Sequence, residues 1–202
     1  MAWGREAPGI QDWLTRLQRN DVKFTSLTIL AARKVSESDM IKLFDTIRVN
    51  CVLREFSSGR AVSLGELTAL AAMRGVHETL QSLSFGDVTL GDAGLAHLAS
   101  CWTRMWLASV DLGNKGFTPG AAPSLAILLG KEHRLRELHL GRNAIGDEGI
   151  IAVCRALQQS PGQLELLDLG SFQTIEIPRA HQGFTSSVNH LSLSIPPSFL
   201  HV

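Results

Sequence analysis

Leu135-Arg-Glu-Leu138-His-Leu140-Gly-Arg-Asn143-Ala-Ile145-Gly-Asp-Glu-Gly149 decides the reading of this chain. Apolar residues stand at positions one, four and six of the stretch, an asparagine at nine and an isoleucine at eleven. The same spacing returns at Phe24, Leu53, Leu80, Leu107, Leu164 and Val188, in steps of 29, 27, 27, 28, 29 and 24 residues once Leu135 takes its place in the series. Taking positions one, four and six of all seven units, only Ser58 is not apolar. Position seven is glycine in five consecutive units: Gly59, Gly86, Gly113, Gly141 and Gly170. A period in this range marks a stack of similar supersecondary units, none of which can bury its apolar side alone.

Each unit reads as a short strand followed by a helix. Positions four and six alternate with polar residues, so they point to one side of a strand and the polar residues to the other. Ser63-Leu-Gly-Glu66 is a capping-box pattern, and Thr118-Pro119 has the form of an N-cap with proline at the first helical position. Asp92 and Asp147 suit the positive end of a helix dipole. Helices are predicted over roughly 37–50, 64–75, 93–102, 119–129 and 148–159. The implied fold is an α/β solenoid curved into a horseshoe, with parallel strands on the concave face and helices on the convex face.

The unit at Leu135–Gly149 resembles the ribonuclease-inhibitor-like class of leucine-rich repeats, and the resemblance extends over about residues 24–170. It implies a non-catalytic recognition module or scaffold that binds another protein on the concave sheet, without a cofactor. Because members of that class also include activators of small GTPases, this is a second expectation. A truncated repeat fragment without independent function is a third. Fold alone does not choose among them.

The asparagine column is poorly kept. Position nine reads Ala32, Ala61, Val88, Lys115, Asn143, Phe172 and Pro196, with Asn114 standing in if that loop is shifted by one residue. An inward asparagine ties a turn because its amide both donates and accepts. Less regular turns are therefore expected in the first three units. The ends depart too. Ile10, Trp13, Leu14 and Leu17 share one helical face, so residues 1–23 read as an N-terminal helix or cap, 24–170 as the repeats, and 171–202 as an irregular terminal unit or the altered end of a longer array.

The expected partner-binding surface is the set of outward strand and strand-end positions: Glu55, Ser57, Arg60, Ser84, Asp87, Ser109, Asp111, Asn114, Glu137, His139, Arg142 and Asp168. Seven strands about 4.8 Å apart span roughly 29 Å, the scale of a protein surface or peptide. The glycine column and Asn143 are assigned to structure, the glycines serving the bend after each strand rather than a groove for a partner's backbone. His139 lies between Asp111 and Asp168, but one histidine among acids falls short of the three or four ligands of a zinc site. Trp102 and Trp106 flank Arg104 in a connection that packs beneath its loop or offers a hot spot. Cys101 and Cys154 read as buried thiols.

Composition narrows the rest. Formal net charge is zero, giving no reason to expect nucleic acid. The chain has three cysteines and no CxxC, which fits a reducing, cytoplasmic setting better than a disulfide scaffold. No apolar run is long enough for membrane insertion. Motifs of nucleotide binding, metalloprotease or serine-hydrolase chemistry do not occur.

Overall fold

A computed structural model describes residues 9–72, 79–101, 107–129, 135–159, 164–170 and 174–176. Strands β1 (Ser26–Ile29), β2 (Glu55–Ser58), β3 (Ser82–Phe85), β4 (Ser109–Asp111), β5 (Glu137–His139), β6 (Leu166–Asp168) and β7 (Thr174–Glu176) form one sheet in sequential order. The first six run parallel. Helices α1 (Ile10–Gln18), α2 (Glu37–Val49), α3 (Leu64–Ala72), α4 (Gly91–Cys101), α5 (Ala122–Leu129) and α6 (Gly146–Gln159) lie against the sheet, each against the next. A 3₁₀ turn, Pro119–Ala121, leads into α5.

The strand junctions repeat one hydrogen-bond pattern. The Thr25 carbonyl accepts from the amides of Arg54 and Glu55, that of Arg54 from Gln81 and Ser82, and that of Gln81 from Ala108 and Ser109. Ala108 serves Arg136 and Glu137 in the same way, and Arg136 serves Glu165 and Leu166. Each unit thus locks the register of its successor before the strand begins, which fixes which side chains face inward. Positions one, four and six are buried from Phe24 through Leu167, and Leu169 is partly buried. Ser58 occupies an inward position at 0% exposure, and its Oγ has no partner among the described residues. Helices complete the core at helical spacing, as with Met40, Leu43, Phe44 and Ile47 of α2.

Local chemistry sets the helix starts. Ser63 and Glu66 make both bonds of a capping box: the Glu66 amide donates to Ser63 Oγ (3.1 Å) and the Ser63 amide to Glu66 Oε2 (3.3 Å). Thr118 Oγ1 accepts from the Gly120 amide (3.2 Å). Both caps are also bound by an acid of the preceding unit. Ser63 Oγ donates to Glu37 Oε1 (2.6 Å), and the Thr118 amide and hydroxyl both donate to the Asp92 carboxylate.

At the N-terminal end, α1 buries Trp13, Leu14 and Leu17 against the first unit, and the Arg33 guanidinium lies 4.6 Å over the Trp13 ring. Asn50, unremarkable in the sequence, ties this helix to β2. Its Nδ2 donates to the Leu17 carbonyl (2.8 Å) and to Asn20 Oδ1 (2.9 Å), and its Oδ1 accepts from the amides of Val52 and Leu53.

The other end corrects the expectation of an all-parallel sheet. β7 pairs antiparallel with β6, Leu167 opposite Ile175. Five residues, 169–173, separate β6 from β7, too few for the crossover that a parallel strand requires. The predicted unit at Val188 and the Trp102/Trp106 connection lie outside the described residues, as does the side chain of Cys101. Cys154 is half-buried and free, and burial pushes its thiol pKa up. No described helix is long and apolar enough to cross a membrane.

Candidate functional site

The open face of the sheet is ruled by two rows of side chains in strict register. One runs Ser26, Glu55, Ser82, Ser109, Glu137, Leu166; the other runs Thr28, Ser57, Ser84, Asp111, His139, Asp168. Eight of the residues expected to meet a partner stand in these rows: Glu55, Ser57, Ser84, Ser109, Asp111, Glu137, His139 and Asp168. The rows contain four carboxylates and no lysine or arginine, although the whole chain is formally neutral.

Some of these groups also hold the fold. Asp111 Oδ1 accepts from the Gly113 amide (2.8 Å) and Asp168 Oδ1 from the Gly170 amide (2.8 Å), the same turn built twice on Asp-Leu-Gly. Ser84 Oγ donates to Asp111 Oδ2 (3.2 Å), and His139 Nδ1 lies 3.5 Å from Asp168 Oδ2. Among the described residues no group of three or more His, Cys, Asp or Glu side chains is placed to hold a metal ion.

The other four expected contact residues do not sit on the sheet. Arg60 turns toward the helices. Its Nη1 pairs with Glu66 Oε1 at 2.7 Å, and its Nη2 donates to the Val35 carbonyl (3.1 Å). Asp87 accepts from the amide and hydroxyl of Thr89 and closes its own turn. Asn114 and Arg142 adopt positive φ, 55° and 61°, and belong to the turns after β4 and β5. Residues at the end of a short strand face wherever the turn dihedrals send them, and strand alternation no longer applies to them.

Asn143 shows what the asparagine position does. Its Nδ2 donates to the carbonyls of Leu112 and Leu140 (both 2.8 Å), and its Oδ1 accepts from the amides of Lys115 (2.9 Å) and Phe117 (3.2 Å). In the preceding unit Lys115, rather than Asn114, takes the inward place. It is 6% exposed, and its Nζ donates to the Gly86 carbonyl (2.8 Å). Arg60 reaches back to Val35 in the same sense, so two basic side chains meet loop carbonyls where no asparagine is available. The glycine column has mixed causes. Gly86 requires positive φ (85°), and at Gly141 an added Cβ would lie 3.3 Å from Gly170 Cα, because successive turns stack closely. Gly59 has room for a side chain.

Burial lowers the Lys115 pKa below its ordinary 10.5, against the opposing pull of Asp111 and Asp87. The folded chain therefore releases this proton before the unfolded chain does. Between the lowered value and 10.5 the unfolded state binds more protons, so this group makes stability rise with pH up to that point. Urea unfolding from neutral pH to roughly pH 11 is expected to show this rise, and Lys115→Met is expected to remove it. Identical pH curves for the two proteins would mean that Lys115 titrates alike folded and unfolded.

Strand, turn and helix recurring every 27–29 residues, with successive helices stacked behind one sheet, define a leucine-rich-repeat solenoid, and its units are similar to those of the ribonuclease-inhibitor-like class. The family model described as Leucine Rich repeat matches residues 133–154, which include Leu135–Gly149. The chain is 31% identical over 102 residues to bovine (Bos taurus) "NACHT, LRR and PYD domains-containing protein 3", a match covering 50% of this chain and 10% of that protein. It is 35% identical over 96 residues to the ribonuclease inhibitor of Sus scrofa, covering 44% of this chain and 20% of the inhibitor. This chain thus spans a small part of the relatives it matches. Among solved structures, the tropomodulin C-terminal domain of Caenorhabditis elegans has a TM-score of 0.46 and 14% identity, covering 82% of this chain and 85% of that one.

Proposed function

We propose that this chain is a non-catalytic recognition module that binds another protein on the open face of its sheet. The observation that carries the reading is the pair of in-register rows. Six parallel strands present mostly small and acidic side chains, with His139 and Leu166 among them, on one surface, while the helices occupy the other side of the same core. A rigid, repetitive face of this kind fits a macromolecule better than a small metabolite, which would need an enclosing cavity. The similarity to a protein named ribonuclease inhibitor supports the reading, since that relative acts on another protein. In this reading residues 1–23 cap the array, 24–170 supply the face and 171–202 close or continue it. The working compartment is cytoplasmic, where free Cys51 and Cys154 stay reduced.

The test compares two folded variants in capture of partners from cell lysate. Ser57→Arg with Ser84→Arg places bulk on the sheet face, and Ile127→Arg with Ile151→Arg places it on partly exposed helix positions. The sheet variant is expected to lose the partner that both the native chain and the helix variant retain. Loss in the helix variant alone would move the binding surface to the convex side and overturn the proposal.

A further inference from the structure

The open face is not uniform. A shallow depression lies across the N-terminal ends of β2 to β5, lined by Glu55, Gln81, Ser82, Ala108, Ser109, Arg136 and Glu137. Its middle is one rung of the sheet, Glu55–Ser82–Ser109–Glu137, in which each residue is the registered partner of the next. Two small serines form the floor. Ala108 stands where neighbouring units carry Gln81 and Arg136, which opens the floor further. A glutamate stands at either side, three strand spacings apart, about 14 Å between Cα atoms. Both glutamates are exposed, and neither carboxylate has a hydrogen-bond or ion-pair partner among the described residues.

Several nearby cations are committed elsewhere, whereas Arg54, next to Glu55, is exposed and has no ion pair among the described residues. Arg136 Nη1 is paired with Glu165 Oε1 at 3.0 Å. Arg60 is held by Glu66 and the Val35 carbonyl, and Lys115 by the Gly86 carbonyl. The two rows themselves carry four carboxylates and no lysine or arginine, over a floor of small polar residues. We infer that this depression receives an arginine side chain presented by an exposed segment of the partner protein, with the guanidinium over Ser82 and Ser109 and between the carboxylates of Glu55 and Glu137. A planar guanidinium is suited to the place because its donors can serve a carboxylate in bidentate fashion, while the serine hydroxyls accept what remains. The inference rests on the reading of the sheet face as the binding surface and names the chemistry it selects.

The probe is N-acetyl-arginine N-methylamide, titrated into the ¹⁵N-labelled full chain, with the citrulline analogue as an uncharged counterpart of nearly the same shape. Saturating shifts are expected at the Ser82, Ala108 and Ser109 amides, with the citrulline analogue weaker by at least about tenfold. Glu55→Gln with Glu137→Gln is expected to reduce arginine binding by a similar factor. Asp45→Asn with Glu148→Gln, which removes the same charge from exposed helix positions, is expected to leave it unchanged. Equal response to citrulline, equal loss in the helix variant, or shifts centred away from the rung would each overturn the inference. Absence of shifts, while Ser57→Arg/Ser84→Arg still loses the partner, would overturn this inference and leave the sheet-face reading standing.

Discussion

Replacing Phe44 with alanine is expected to lower the unfolding free energy by about 4 kcal/mol, the largest loss at any single position considered. Phe44 is 0% exposed on α2 and meets two other rings edge-on: Phe56 of β2 at 5.6 Å and 71°, and Phe85 of β3 at 5.4 Å and 77°. Phe56 and Phe85 are themselves 6.3 Å apart. Three successive units thus contribute one ring each to a single cluster. Truncation removes the ring's transfer free energy, leaves a cavity that two neighbouring strands cannot fill, and deletes two favourable edge-to-face contacts. Urea unfolding followed by circular dichroism reads the change. Ile127→Ala, at a 46% exposed site, is expected to shift stability by no more than about 0.5 kcal/mol. A Phe44→Ala loss below about 1 kcal/mol would show that the cluster repacks and does not join the units.

Arg60→Ala is expected to cost about 3 kcal/mol, for a different reason. Glu66 is 0% exposed, and the Arg60 guanidinium is its charged partner at 2.7 Å. Breaking a buried pair from one side leaves a carboxylate out of water without compensation, which costs roughly 3–5 kcal/mol in fully buried cases. The lower end applies because the Arg60 side chain is 18% exposed and the Ser63 amide still donates to Glu66. Loss of the bond to the Val35 carbonyl adds to the effect. Converting the acid as well, in Arg60→Ala/Glu66→Gln, is expected to recover about 1 kcal/mol, since a neutral amide is cheaper to bury than an unpaired charge. If the two substitutions add to within about 0.5 kcal/mol, the pair is not coupled and the argument fails.

The sequence alone determined the architecture. Leu135–Gly149 and its six repetitions set the period, and the apolar columns from Phe24 to Leu167 all entered the core, because burial in a stacked repeat is a nearest-neighbour matter that recurs with each unit. Helix starts at Ser63 and Thr118 were legible for the same reason: a cap is decided by residues three positions apart. The rows carrying Glu55, Ser84, Asp111, Glu137 and Asp168 also followed from strand alternation.

Tertiary structure decided what the strand-end residues do. Arg60 and Lys115 look alike in the sequence as basic residues beside a turn, and only the loop of the neighbouring unit, at the Val35 and Gly86 carbonyls, explains why both turn from the sheet face. Asn50 gains its role from Leu17 and Asn20, more than two dozen residues earlier in the chain. The depression between Glu55 and Glu137 exists because register places two serines between them. Periodicity specifies which side of the sheet a residue occupies. Partners of a polar group depend on which carbonyls and charges the adjacent units bring within hydrogen-bond range, and that distance appears only when the units stack.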